Sequence, residues 1–179
     1  MLDYDALKKA AQTAGFEEVA LLRADSICLH QEVRDMCASG KCSQYGHNWT
    51  CPPHTGSLEE CSARIAAYNR GILVQTVQPI EDCFDGEGMM EAERLHKERF
   101  HALQDVLSGM YPGLLAISAG CCTRCKACTC PHEPCRFPEK KVSSMEAYGM
   151  LVLEVCSNNG MKYYYGSDKI AYTSCFLLE

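Results

Sequence analysis

Hydrophobic and polar positions fall into blocks that predict helices and strands in turn along the chain. Four segments have the periodicity or the capping residues of helices, at about 3–14, 57–69, 91–110 and 143–156. Asp3 is the expected N-cap of the first, and Ser57 with Glu60 and Ser143 with Glu146 form expected capping boxes. Short apolar runs that are typical of strands lie within 16–27, 72–77 and 114–117, and in a closing pair at 163–165 and 170–178. Because helices and strands alternate, we expect residues 1–179 to form one α/β domain with a single sheet and flanking helices.

Two long segments, 28–55 and 120–138, have no sustained periodicity and are expected to be irregular loops. Each follows a predicted strand and precedes a predicted helix. In open α/β sheets, ligands bind at the edge where strands end. We therefore expect these segments to be two long cysteine-rich metal-binding loops.

The composition supports the expectation of metal binding, since 14 of the 179 residues are cysteine. The net charge of −6 disfavours a nucleic-acid partner. No apolar run reaches the roughly 20 residues of a membrane span, and the first residues lack the pattern of a signal peptide. A cytoplasmic location is therefore expected. Disulfides are rare there, so many thiols indicate metal or redox chemistry.

The later loop contains Cys122, Cys125 and Cys128 in a C-x2-C-x2-C run, with Cys135 following. A single zinc ion usually takes C-x2-C pairs that are a dozen or more residues apart. The observed spacing is closer to the bacterial iron–sulfur run. We expect these four cysteines to hold a 4Fe–4S cluster, with Cys130 as an alternative to Cys135 and zinc as the alternative metal.

Basic residues accompany this run and are expected to contact the cofactor. Arg124, Lys126 and Arg136 can offset the negative charge of a cluster and favour thiolates over thiols. Cys121 is expected to point away, because adjacent residues rarely both reach one metal site.

The earlier loop contains Cys37, Cys42 and Cys51, followed by two prolines. We expect a second cluster here, with Cys61 as the fourth ligand, because the first turn of a helix favours a thiolate. The alternatives are Cys28, Cys83, His54 and a ligand lent by the other loop, as in two-cluster ferredoxins. Buried free thiols, which pack as small apolar groups, are the simplest alternative to a metal.

Together the two segments resemble a family of uncharacterised, cysteine-rich predicted metal-binding proteins of prokaryotes, catalogued as a domain of unknown function. The resemblance is carried by RDMC at 34–37, by CSQYGHNWTCPP at 42–53, by CTRCKAC at 122–128 with CRFPEK at 135–140, and by SMEAYG at 144–149. It implies metal binding, with iron–sulfur as the expected form, and implies no particular reaction. Cysteines at 28, 61, 83, 121 and 156 are not typical of this pattern.

The sequence therefore predicts an iron–sulfur protein, with two 4Fe–4S clusters, that exchanges single electrons with a redox partner protein. One alternative is a small enzyme whose cluster has an open iron site, with catalytic residues unknown. The other is a zinc-binding structural or metallochaperone module.

Overall fold

The computed structural model of the protein describes residues 2–178. Its helices are α1 (Tyr4–Thr13), α2 (Gln31–Ala38), α3 (Leu58–Ala66), α4 (Gly86–Met110) and α5 (Val152–Asn158). Its strands are β1 (Glu18–Arg23), β2 (Arg70–Pro79), β3 (Leu115–Ile117) and β4 (Lys169–Leu177). Short 3-10 turns lie at Ala24–Ser26 and Glu146–Tyr148. Within residues 2–178, every helix lacks either the length or the apolar character needed to cross a bilayer.

The four strands form one sheet in the order β1-β2-β4-β3, and each neighbouring pair is antiparallel. Leu21 pairs with Ile72, Leu73 pairs with Cys175, and Cys175 also pairs with Ile117. The predicted α/β class and single sheet are confirmed. The two cysteine segments do not begin at a common edge of the sheet, because β1 and β3 run in opposite directions.

Helices cover both faces of the sheet. Successive residues of a strand point to opposite faces, so β2 directs Leu73 to one core and Ile72 and Val74 to the other. The first core also takes its buried side chains from α3 and α5, and the second from α1 and α4. The result is a three-layer sandwich that leaves the cysteine segments outside both cores.

Two helix starts follow local sequence signals. The Asp3 side chain accepts a hydrogen bond from the Ala6 amide at 3.0 Å at the start of α1. Ser57 and Glu60 form the predicted capping box of α3, in which each side chain bonds to the backbone of the other residue.

The predicted helix over 143–156 is divided in the structure. Ser144, rather than Ser143, accepts a hydrogen bond from the Ala147 amide, at 3.0 Å, and only a 3-10 turn follows. Gly149 then adopts the left-handed conformation with φ 91°, which ends the turn. The chain restarts as α5, so Glu146 lies beside a cysteine loop instead of inside a long helix.

Two further expectations differ from the structure. The segment 28–55 is not wholly irregular, because it contains α2. Residues 163–165 form no strand, and β4 is flanked instead by β2 and β3.

A buried histidine on α4 connects the helix to the sheet and to the second cysteine segment. One ring nitrogen of His96 lies 3.0 Å from Thr76 Oγ1 on β2, and the other lies 2.6 Å from Ser174 Oγ on β4. Ser174 Oγ also accepts a hydrogen bond from the Ala119 amide at 3.0 Å. Burial lowers the pKa of His96 to about 3, with smaller contributions from nearby cations, so the ring is neutral at physiological pH.

This burial predicts a pH-dependent stability. The unfolded chain binds a proton at the ordinary histidine pKa of about 6.5, whereas folded His96 does not. The contribution of His96 to stability is therefore complete above pH 6.5 and is lost as the pH falls towards 3. The contribution of His96 to the free energy of unfolding should fall by roughly 1 kcal/mol between about pH 7.5 and 5.5, as measured by urea denaturation. His96→Gln should reduce the change of the free energy of unfolding with pH, and His132→Gln, at an exposed position, should preserve it. An equal change with pH in the two variants would contradict the prediction.

Candidate metal centres

Four cysteines from different parts of the chain border one cavity of about 210 Å³, the first cavity. Cys37 lies in the last turn of α2, Cys42 and Cys51 lie in the loop that follows, and Cys121 comes from the segment after β3. Glu146 of the 3-10 turn also lines this cavity. Three of the four predicted ligands are thus brought together, and Cys121 joins them.

Short-range hydrogen bonds shape the loop that carries Cys51. The Asn48 Oδ1 atom accepts bonds from both the amide and the hydroxyl of Thr50, at 3.1 and 3.0 Å. The Thr55 hydroxyl donates to the Thr50 carbonyl at 3.0 Å, and the Gly46 amide donates to the Pro52 carbonyl at 2.9 Å. Because this network is largely buried, the loop holds Cys51 inward by its own polar groups.

A left-handed glycine directs Cys121 into the first cavity. Gly120 has φ +65°, and a Cβ atom there would lie 3.1 Å from Glu93 Oε1 on α4. Glu93 is itself bonded to Lys97 Nζ at 2.5 Å. A side chain at position 120 would therefore strain the turn and crowd this ion pair.

The pKa values of three thiols at the first cavity, Cys37, Cys51 and Cys121, are raised mainly by burial. Burial, with smaller contributions from the neighbouring thiols Cys121, Cys42 and Cys37, raises the pKa of Cys51 to about 12. Burial also raises the pKa of Cys37, with added repulsion from Cys42 and Glu146 that Arg34 partly opposes. A cation bound here would displace the thiol protons. Its positive charge favours the thiolate form and would therefore lower the pKa values of these thiols.

The other cysteines proposed for this centre lie elsewhere. Cys61 is fully buried in the core between α3, α5 and the sheet, and its Sγ is 4.0 Å from the Thr55 carbonyl oxygen. Cys28 and Cys83 are exposed. The His54 ring packs against Trp49, with ring centroids 4.8 Å apart. None of these four residues lines the first cavity, so the structure does not bring Cys61 to the other three cysteines.

The second centre has the cysteines that the spacing predicted. A narrow cavity of about 20 Å³, the second cavity, is lined by Cys122, Cys125, Cys128 and Cys135. Cys130, the alternative fourth ligand, does not line it: its Sγ lies 3.6 Å from the Gly46 carbonyl oxygen in the other loop.

The three basic residues expected at the cofactor take different positions. Arg124 and Arg136 line the second cavity, and Arg136 also donates to the Ala127 carbonyl at 2.9 Å. Lys126 is exposed and does not line it, whereas Lys141, which was not among the expected residues, does.

Arg124 has a buried donor with no acceptor. Its Nη2 donates to Gln104 Oε1 on α4 at 2.6 Å, which fixes the guanidinium group against the helix. Its Nε is the one buried side-chain nitrogen or oxygen in residues 2–178 that has no hydrogen-bond partner. A buried unpaired donor is costly. A sulfur-rich anionic group in the second cavity would supply the acceptor, so this residue fits such a group.

As the chain stands, no three His, Cys, Asp or Glu side chains in residues 2–178 converge tightly enough to hold one metal ion. The thiols instead border an open cavity at the first site and a narrow cavity at the second. Among the Cys, His, Asp and Glu side chains that line the two cavities, all are cysteines apart from Glu146. Such sets suit zinc, copper(I) or iron–sulfur groups.

Two cavities that are each lined by four thiols indicate a metal-binding protein. The chain belongs to the family of predicted metal-binding proteins DUF2284, whose profile matches residues 20–178. No curated protein and no solved structure was found to be similar to it. The family match agrees with the resemblance noted in the sequence and names no metal and no reaction.

The contrast between Cys121 and Cys61 gives a direct test of the first centre. Cys121→Ser should lose the metal of the first centre, because it removes a thiol that lines the cavity. Cys61→Ala should keep the full metal content and lower the free energy of unfolding by about 1–2 kcal/mol, since it only removes a core side chain. Metal content per chain after anaerobic purification distinguishes them. Loss of metal in Cys61→Ala but not in Cys121→Ser would restore Cys61 as the ligand.

Proposed function

We propose that this protein carries two 4Fe–4S clusters and transfers single electrons to or from a protein partner. The ligands would be Cys37, Cys42, Cys51 and Cys121 at the first centre and Cys122, Cys125, Cys128 and Cys135 at the second. The observation that carries the proposal is that two neighbouring cavities are each lined by four thiols.

At the first centre, the support comes from the space between the thiols. A cubane cluster offers one coordination position on each of four irons, so its ligands must surround a group of several atoms. A cavity of about 210 Å³ bordered by four thiols has this arrangement. A single zinc ion would instead draw all four sulfurs to about 2.3 Å from one point.

At the second centre, the support comes from the spacing and from Arg124. Three cysteines at C-x2-C-x2-C spacing resemble an iron–sulfur run, and the unpaired Arg124 Nε would donate to cluster or cysteine sulfur. The cavity of about 20 Å³ is narrow, so a cluster requires the loop at 122–135 to widen. Metal binding commonly supplies the free energy for such ordering.

The surface around the second cavity supports a protein partner. Residues 121–141 contain five Lys or Arg and two Glu, in a chain whose net charge is −6. Lys126, Arg136, Lys140 and Lys141 are exposed. This local positive charge complements an acidic protein surface and would steer such a partner towards the second centre.

A groove beside the first cavity favours one other function. Tyr45 and Pro52 line both the first cavity and an open groove of about 430 Å³, which Arg34 and Ser57 also line. If Cys121 is not a ligand, a three-cysteine cluster would leave one iron open, and the groove would give a substrate a route to the first cavity. The protein would then be a small enzyme that binds its substrate at iron.

Metal analysis is the first test. Anaerobically prepared protein should contain about eight Fe and eight sulfide per chain, the sum for two cubanes. About four Fe and four sulfide with one Zn would indicate one cluster and one zinc site, and the metal content of Cys125→Ser would then show which cavity holds the zinc. One or two Zn without sulfide would reject the proposal.

Arg124→Gln should lower the midpoint potential of the second centre, because it removes a positive charge and a buried donor that favour the reduced, more negative cluster. A lost charge-assisted hydrogen bond is worth about 1.5–3 kcal/mol before partial compensation. For one electron, 59 mV equals about 1.4 kcal/mol. The midpoint potential should therefore change by on the order of 50 mV once part of the loss is compensated. Lys126→Gln removes the same charge from an exposed position and is the matched control. Equal shifts in an anaerobic redox titration of both variants would show that Arg124 acts only through net charge.

A further inference from the structure

The two cavities meet at one peptide bond. Cys121 lines the first cavity and Cys122 lines the second, although they are consecutive residues. We infer that this peptide holds the two centres close enough to exchange electrons and to couple magnetically, so that they act as a pair. The inference rests on the proposed function, because it requires a cluster at each site.

Chain geometry limits the separation. Consecutive Cα atoms lie about 3.8 Å apart, and each thiol extends only one short side chain beyond its Cα, so the two Sγ atoms are within about 10 Å in any rotamer. Each sulfur would bind an iron of its own cluster directly. Since a metal–sulfur bond of about 2.3 Å is added at each end, the nearest irons of the two centres lie within about 15 Å of each other.

The first loop makes the same crossing. Asn48, Trp49 and Thr50 line the second cavity, whereas Cys51, the next residue, lines the first. Each loop thus borders both cavities, and each changes from one cavity to the other between consecutive residues. The closeness of the centres is a property of the packing of both loops and does not depend on Cys121 alone.

Contacts between the loops fix this arrangement. The Trp49 indole Nε1 donates to the Glu133 carbonyl at 3.0 Å, and Cys130 Sγ lies 3.6 Å from the Gly46 carbonyl oxygen. On the other side, Arg124 is bonded to Gln104 on α4, and the Ala119 amide is bonded to Ser174 on β4. The junction between the cavities is therefore anchored to the rigid part of the fold.

The electron balance is simple. A one-electron donor protein with an acidic surface would reduce the centre at the basic surface by one electron and would itself be oxidised by one. Exchange across the Cys121–Cys122 junction would then oxidise that centre by one electron and reduce the other by one. No bond is broken and no proton transfer is required.

Electron paramagnetic resonance of the full chain, poised at a series of potentials with dithionite and mediators, tests the inference. At low levels of reduction most paramagnetic molecules carry one reduced cluster, and the signal should be simple. At full reduction both clusters are paramagnetic, and the signal should be broadened or split with faster relaxation. Because the comparison uses one protein, it does not depend on any variant folding.

Two controls separate this result from the proposed function. Cys125→Ser, which should lack the second cluster, should give the simple signal at full reduction. Cys83→Ser removes an exposed cysteine that lines neither cavity and should keep both clusters with coupling. Two clusters by iron and sulfide analysis, with a fully reduced signal equal to the sum of two isolated ones, would overturn the pairing and leave the proposed function standing. Absence of iron and sulfide would overturn both.

Discussion

Crowding of thiols against a buried surface is the constraint on which the rest of the structure depends. Cys51 has a pKa raised to about 12 because it is buried and because three other thiols lie near it. Such a group of sulfurs tolerates ionisation only if cationic charge is placed among them. A protein that merely needed small apolar side chains would have no reason to gather four thiols around a cavity, and this is why a metal group is the economical explanation of the first cavity.

The scaffold places the cysteines that line the two cavities outside both hydrophobic cores. Helix α4 is the element that joins them: His96 bonds to β2 and β4 on its buried face, and Gln104 bonds to Arg124 beside the second cavity. The Ala119 amide, bonded to Ser174, sets where the second cysteine segment leaves the sheet. Hydrogen bonds to regular elements thus position the second cysteine segment, whereas polar groups of the first loop itself position Cys51.

Burial also explains the role of three cysteines that lie in the hydrophobic core rather than at a cavity. Cys61, Cys156 and Cys175 are fully buried among apolar side chains, and burial raises the pKa of Cys175 to about 12. They behave as small core residues, which is the common role of a free cysteine. We therefore expect metal ligands only among the cysteines that border a cavity, and counting thiols overestimates the number available to a metal.

The sequence by itself determined the α/β class, the principal helices, the helix caps at Asp3 and Ser57, and the four cysteines that line the second cavity, because each of these depends on neighbours only a few residues apart. Tertiary structure decided the rest. The antiparallel strand order, the break at Gly149 and the burial of His96 depend on packing between distant segments. So does the meeting of Cys121 with Cys37, Cys42 and Cys51, which requires two loops to cross after leaving strands of opposite direction. Spacing along the chain identifies ligands that one loop supplies alone, whereas a ligand lent by another loop is identified only when the fold brings the two together.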